Sequence, residues 1–156
     1  MKILKISFYL LNFFLIIFYI SPCSIPGYLI YGDCGLQPQV TRDFFLISSN
    51  HLYVFLLFSF VGILSFREKL DKIVLYLLFI SIFLELLHFV IPQRGYQLED
   101  LLGNILGVLL SLLLYKLLVF KKFLWVHLIK EKKVLRKSLL MMRNYNLKLM
   151  QEEINI

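Results

Sequence analysis

Four long runs of apolar residues, separated by short polar or charged stretches, make up most of this chain. The runs cover residues 3–20, 44–66, 73–92 and 99–120, and about 20 apolar residues are enough for a helix to cross a membrane. Of the 156 residues, 60% are apolar and only 17% are charged, too few to cover a water-soluble fold. The sequence therefore predicts an all-α protein, a four-helix transmembrane bundle with a basic amphipathic C-terminal helix.

The apolar runs divide the chain into four predicted parts. Residues 1–20 are expected to form a signal-anchor transmembrane helix. The alternative is a cleaved signal peptide, but Tyr19 and Ile20 stand where a cleavage site needs small residues. Residues 21–43 are rich in proline and glycine and are predicted to form an extracytoplasmic loop. Residues 44–120 are interpreted as a three-span membrane core and residues 121–156 as a basic cytoplasmic tail.

Positive charge is concentrated at the C-terminal end of the chain. Residues 121–156 contain nine Lys/Arg and three Asp/Glu, whereas residues 1–120 contain eight and seven. Positive residues close to the ends of spans are retained in the cytoplasm. This pattern predicts a multi-pass protein of the bacterial inner (cell) membrane with both termini cytoplasmic and with the loop 21–43 and the turn 93–98 outside.

The basic tail is predicted to lie on membrane lipids. Apolar residues recur at positions 124, 128, 135, 139 and 142, and less regularly at 147 and 149, with basic residues between them. This pattern suits a helix on an anionic leaflet. The alternative is a solvated helix or one that binds a protein partner. No recognition motif is present, so we expect no nucleic acid as a partner.

Ionisable and amide residues interrupt the last two apolar runs. Glu85 and His88 are three residues apart, and Asp100 and Asn104 are four apart, so each pair lies on one face of its helix. The short turn between the runs, which contains Arg94, makes the two helices antiparallel neighbours. Polar groups in hydrocarbon must pair or reach water. We therefore expect these residues to form one polar cluster in the outer half of the membrane.

Chemical roles can be assigned within this cluster, which Asn50 and His51 on the second run could join. In an enzyme, Glu85 would act as the base or acid with His88 tuning it, so these two are the candidate catalytic residues. Arg94 would hold an anionic headgroup and Asp100 would orient Arg94. Asn104 and His51 complete the candidate substrate-binding set.

A structural interpretation remains open for each of these residues. Glu85 and His88 could instead form a buried polar contact that only holds helices together. Asn104 lies between Gly103 and Gly107, and small residues around an amide are a common device of helix packing. Asp100 with Arg94 could be an ordinary solvated ion pair.

The same region resembles the VanZ-like family of small bacterial membrane proteins. The family pattern is a Glu, usually a Gln three residues on, then Pro, Arg, Asp, Asn and Gly at fixed spacing. The corresponding residues here are Glu85, His88, Pro92, Arg94, Asp100, Asn104 and Gly107. Six of these seven match, and His88 replaces the usual Gln.

A weaker part of the resemblance lies on the second apolar run. Asn50 and His51 stand where the family tends to have Asp-Lys, and Val54 stands where it tends to have a histidine. The resemblance covers residues 44–115. It implies a cell-envelope setting more firmly than a reaction, because the family has no settled catalytic activity.

Cys23 and Cys34 are eleven residues apart in the predicted extracytoplasmic loop. A disulfide is expected between them, because that compartment is oxidising. No histidine or third cysteine near them completes a ligand set, so the sequence predicts no metal and no other cofactor.

Three functions fit the sequence. The preferred one is binding of, or action on, an envelope lipid or lipid-linked intermediate at the outer leaflet. The second is a non-catalytic structural or accessory membrane subunit. The third and weakest is a component of proton-coupled transport. Composition alone does not decide whether the chain is an enzyme.

Overall fold

The structure is a computed structural model that describes the backbone of residues 2–154 and the side chains of residues 2–143. Its helices are α1 at Lys2–Ile20, α2 at Ile25–Tyr31, α3 at Ser49–Ser65, α4 at Leu70–Leu87 and α5 at Leu98–Ile154. A 3-10 turn at Arg67–Lys69 joins α3 to α4. The only extended pairing among the described residues is an isolated bridge between Phe44 and Ile47. The prediction of an all-α protein is confirmed.

The chain divides into two units, Met1–Tyr115 and Lys116–Ile156. In the first unit, α1, α3 and α4 pack against one another. Their shared core is apolar and aromatic, and its most buried members are Phe8, Phe55, Phe58, Ile63, Leu77, Leu84 and, from α5, Val108. Phe8 of α1 stacks on Phe58 of α3 with ring centroids 5.2 Å apart, so aromatic packing joins these helices.

The second unit is the C-terminal part of α5. Its described side chains are mostly exposed, including apolar ones such as Leu135 and Leu139. His127 and Glu131 form an exposed contact of 3.7 Å one turn apart. The helical character predicted for the tail is present. The apolar positions 147 and 149 of the predicted stripe have side chains outside the described residues.

Two helical segments, Lys2–Ile20 and Leu98–Arg143, are long and apolar enough to cross a membrane by length and composition. The sequence prediction was four. The apolar helix α3 has only 17 residues. The sequence of α4 includes Asp71, Lys72 and Glu85 among its 18 residues, which lowers its apolar content.

The helices are shorter than the apolar runs at two boundaries. The second run begins at residue 44, but α3 begins at Ser49, whose backbone N–H donates to the Asp43 carboxylate at 2.8 Å. The third run reaches Pro92, but α4 ends at Leu87. Residues 88–91 form hydrogen-bonded turns instead of continuing the helix. Pro92 disfavours a longer helix, because proline has no N–H to donate to the carbonyl one turn before it. His88 therefore lies at the end of α4 rather than within it.

Small residues let α5 approach α3 closely. A Cβ atom added at Gly103 would lie 2.7 Å from the Ser48 carbonyl oxygen, and one at Gly107 would lie 2.7 Å from the Leu52 carbonyl oxygen. One turn further on, Ser111 Oγ donates to the Leu56 carbonyl at 2.6 Å. This contact brings the first turns of α5 beside the start of α3, where the polar residues of both helices meet.

Candidate functional site

A buried polar cluster lies where the ends of four helices meet. Its members are Tyr19 of α1, His51 of α3, Glu85 of α4 with His88 just beyond it, and Asp100 and Asn104 of α5. The side chains of Glu85 and Asn104 are fully buried, and His88 is 5% exposed. His51 and Asp100 retain 12% and 15% exposure, so the cluster opens to the surface on their side.

Glu85 and His88 form the deepest pair of the cluster. Glu85 Oε1 lies 3.2 Å from His88 Nδ1, and His88 Nε2 lies 3.3 Å from the Tyr19 carbonyl oxygen. A carbonyl oxygen only accepts, so Nε2 carries a hydrogen. The proton between Nδ1 and Oε1 is then shared by the pair, either as imidazolium and carboxylate or as imidazole and carboxylic acid. Such a pair can give or take a proton.

The two oxygens of Glu85 have different surroundings. Oε1 also accepts from the Gln97 backbone N–H at 3.3 Å, across the turn that joins α4 to α5. Oε2 is buried and has no hydrogen-bond partner among the described residues. Buried carboxylate oxygens are normally satisfied, so this atom needs an explanation.

Asn104 fixes the orientation of His51. Asn104 Nδ2 donates to the Ser81 carbonyl at 3.3 Å, which turns Oδ1 toward the cluster. Oδ1 accepts from the Tyr19 hydroxyl at 2.9 Å and lies 3.1 Å from His51 Nδ1. The other ring nitrogen of His51, Nε2, lies 3.5 Å from Asp100 Oδ2. Asn104 thus acts within the cluster and not only in helix packing.

Arg94 ties the turn between α4 and α5 to the end of α1. Its Nε donates to the Ser21 carbonyl at 3.1 Å, and its Nη2 donates to the carbonyls of Phe18 at 3.3 Å and Cys23 at 3.5 Å. Carbonyls at a helix end lack helical partners, which explains this attraction. The predicted orientation of Arg94 by Asp100 is replaced by these bonds, and Asp100 contacts His51 instead.

Two neighbouring cavities lie beside the cluster. The first has a volume of about 260 Å³ and a mostly apolar lining that includes Leu15, Phe18, Val40 and Val54. The second has a volume of about 520 Å³ and a mostly polar lining that includes Gln97 and Asp100. The residues that line both cavities are Ser24, Gln37, Asn50, His51, His88 and Arg94.

The loop before α3 contributes residues to the lining of both cavities. Asn50 donates through Nδ2 to the Pro38 carbonyl at 2.8 Å and accepts from the Val40 N–H at 3.1 Å. Asn50 therefore holds the loop and does not join the buried cluster. Cys23 and Cys34 form a disulfide that fixes the other end of this loop region beside α2.

The structure thus brings together five of the six residues assigned to catalysis or substrate binding from the sequence. Glu85, His88, His51, Asp100 and Asn104 meet, while Arg94 lies at the cavity rim. Sequence reasoning missed Tyr19, whose ring stacks on His88 with centroids 5.5 Å apart. The only indication of Tyr19 in the sequence is that it carries a hydroxyl group near the end of an apolar run.

No family model, curated protein or solved structure matches this chain. The resemblance to the VanZ-like family therefore rests on the spaced residues from Glu85 to Gly107 and, more weakly, on residues 50–58.

Proposed function

We propose that this chain is a multi-pass membrane protein of the VanZ-like type whose polar cluster and adjoining cavities bind an envelope lipid or lipid-linked intermediate. In this proposal α1, α3, α4 and the first part of α5 are the four spans. Large apolar side chains cover the outer surfaces of these helices, for example Phe13, Leu57 and Phe79, each exposed by 58% or more. Such surfaces are costly in water and suited to lipid tails.

The proposed orientation places the cluster at the outer leaflet of the inner membrane. The turn at Arg67–Lys69 and the tail carry most of the positive charge, which favours the cytoplasm for both. The cluster lies at the opposite ends of α3 and α4, on the side of the loop 21–43. The disulfide in that loop supports the same orientation, because disulfides persist in oxidising compartments.

The pairing of an apolar with a polar cavity is the observation that supports a lipid as the ligand. Because the two cavities share six lining residues, one molecule could place an alkyl chain in the first and a headgroup in the second. Ligand sites are mostly apolar with a few placed polar groups, and this pair of cavities fits that description.

An anionic headgroup suits the polar cavity. The hydrogen bonds of Arg94 use Nε and Nη2, and none of Nη1 is found among the described residues. The two N–H groups of Nη1 would then serve a phosphate or carboxylate of the ligand. If the protein is an enzyme, the shared proton of Glu85 and His88 supplies acid or base chemistry beside that headgroup.

A substitution that fills the apolar cavity tests the proposal. Val54 lines this cavity, so Val54→Trp should lower the amount of lipid that co-purifies with the protein by about tenfold, through overpacking. Leu57→Trp is the matched control, because Leu57 is 60% exposed on the same helix and does not line either cavity. The measurement is quantitative mass spectrometry of lipids extracted from equal amounts of the purified proteins. Equal lipid in both variants and in the unmodified protein would contradict a lipid in the cavity.

A further inference from the structure

Three potential metal-binding side chains converge in the cluster from three different helices. One ring nitrogen of His51 and one carboxylate oxygen each of Glu85 and Asp100 lie within 4.8 Å of one another. The sequence prediction of no metal considered the two cysteines and not this set, because only the fold brings α3, α4 and α5 together here. Imidazole nitrogen and carboxylate oxygen are common ligands of Zn²⁺ and related divalent ions.

The hydrogen bonds of His51 assign its tautomer. Asn104 Oδ1 only accepts, and the Tyr19 hydroxyl donates its single hydrogen to that oxygen. His51 Nδ1 is within hydrogen-bond distance of both, at 3.1 Å and 2.8 Å, so Nδ1 must be the donor. In neutral imidazole the lone pair is then on Nε2, the atom that faces Asp100.

The gap between His51 Nε2 and the Asp100 carboxylate suits a cation. Two acceptors 3.5 Å apart repel each other, unless a proton or a metal ion lies between them. Bonds of about 2.0 to 2.2 Å in a tetrahedral site place two ligand atoms about 3.4 Å apart. The separation of Nε2 and Asp100 Oδ2 matches that of two ligands of one ion and also that of an imidazolium–carboxylate ion pair, and the two are distinguished by the zinc titration below.

Glu85 supplies an independent observation that points to the same ligand. Its Oε2 is fully buried, has no hydrogen-bond partner among the described residues and lies 3.9 Å from His51 Nδ1, on the other side of the ring from the contact with Asp100. Rotation toward the ion would break no hydrogen bond of this oxygen. Oε1 would keep its contacts with His88 and the Gln97 N–H. Side chains that bind a metal ion are commonly held in place by such hydrogen bonds.

We propose that His51 Nε2, Asp100 and Glu85 bind one divalent transition-metal ion, with Zn²⁺ as the representative. The fourth coordination position would open toward the polar cavity, which His51 and Asp100 line. An anionic group or a water molecule from that cavity would occupy it. The inference does not rest on the proposed lipid, because metal binding can be measured without any lipid present.

Zinc binding by the purified full-length chain tests the proposal. The protein is prepared in detergent without a polyhistidine tag, treated with EDTA, and titrated with Zn²⁺ while bound metal is measured by mass spectrometry. We expect about one equivalent per chain. Asp100→Asn and His51→Gln should each weaken zinc affinity by at least about tenfold. Co²⁺ as a spectroscopic probe should show absorption bands of low coordination number that both variants lose.

The matched controls are Asp71→Asn and His127→Gln, which change the same residue types at exposed positions. These should bind zinc like the unmodified chain. Binding lost in His127→Gln but kept in Asp100→Asn would assign the metal to the tail and overturn the proposal. A well-folded unmodified chain that retains less than about a tenth of an equivalent would also overturn it, and would mean that His51 and Asp100 share a proton as an ion pair. Lipid retention measured with EDTA present separates this result from failure of the lipid proposal.

Discussion

A single amide connects most of the cluster. Asn104 donates to the Ser81 carbonyl of α4 and accepts from Tyr19 of α1, and its Oδ1 also faces His51 of α3. Three helices are therefore fixed relative to α5 by one fully buried side chain. Asn104 also matters for the proposed function, because it orients His51 and so decides which ring nitrogen of His51 faces the polar cavity.

Removing this amide should destabilise the protein. Asn104→Ala would remove the oxygen that the Tyr19 hydroxyl and His51 Nδ1 both face, leaving these two only their contact with each other, and would remove the donor to the Ser81 carbonyl. A buried group left unsatisfied costs about 1–3 kcal/mol. We expect a loss of unfolding free energy of about 2–4 kcal/mol, measured by denaturant titration in mixed micelles. Ser138→Ala is the control, because its hydroxyl is exposed and bonds only to its own helix. A loss as small as that of the control would mean that the amide contributes little.

At the scale of the helices, the contact between α3 and α5 depends on two glycines. Gly107→Ala would place a methyl group 2.7 Å from the Leu52 carbonyl and 2.8 Å from the Leu56 nitrogen, both backbone atoms that cannot rotate away. The variant should lose about 1–3 kcal/mol of unfolding free energy through overpacking. Gly95→Ala is the matched control, because a Cβ there would meet nothing within 4 Å. Equal stability of the two variants would show that the helices are not in close contact.

The helices themselves were largely predictable from apolar runs, but their ends were not. The start of α3 depends on Asp43 capping Ser49, which a hydropathy pattern does not reveal. The spacing of Glu85 with His88 and of Asp100 with Asn104 predicted a shared polar cluster. The partners of each member could not be predicted, because Tyr19, Ser81 and Gln97 reach the cluster from distant parts of the chain.

At the scale of the whole molecule, the apolar helices of the unit Met1–Tyr115 hold one polar cluster at their ends. Glu85 is fully buried in the described structure and still carries an oxygen without a partner. A purely structural contact would gain stability by satisfying that oxygen. Keeping it unsatisfied next to His51, which lines both cavities, is the pattern of a binding site, where the missing partner arrives with a ligand.

The central claim is that this cluster is a working site on an envelope lipid, and Glu85→Gln tests it most directly. The measurement is the level of lipid-linked envelope precursors in cells that produce only the unmodified chain or only the variant, at matched abundance in the membrane. Because the amide cannot share the proton of His88, we expect the variant to match cells that lack the protein. Glu68→Gln, at the exposed turn between α3 and α4, should match the unmodified chain. Precursor levels that differ between cells with and without the protein, yet stay normal in Glu85→Gln, would contradict the claim and favour an accessory role.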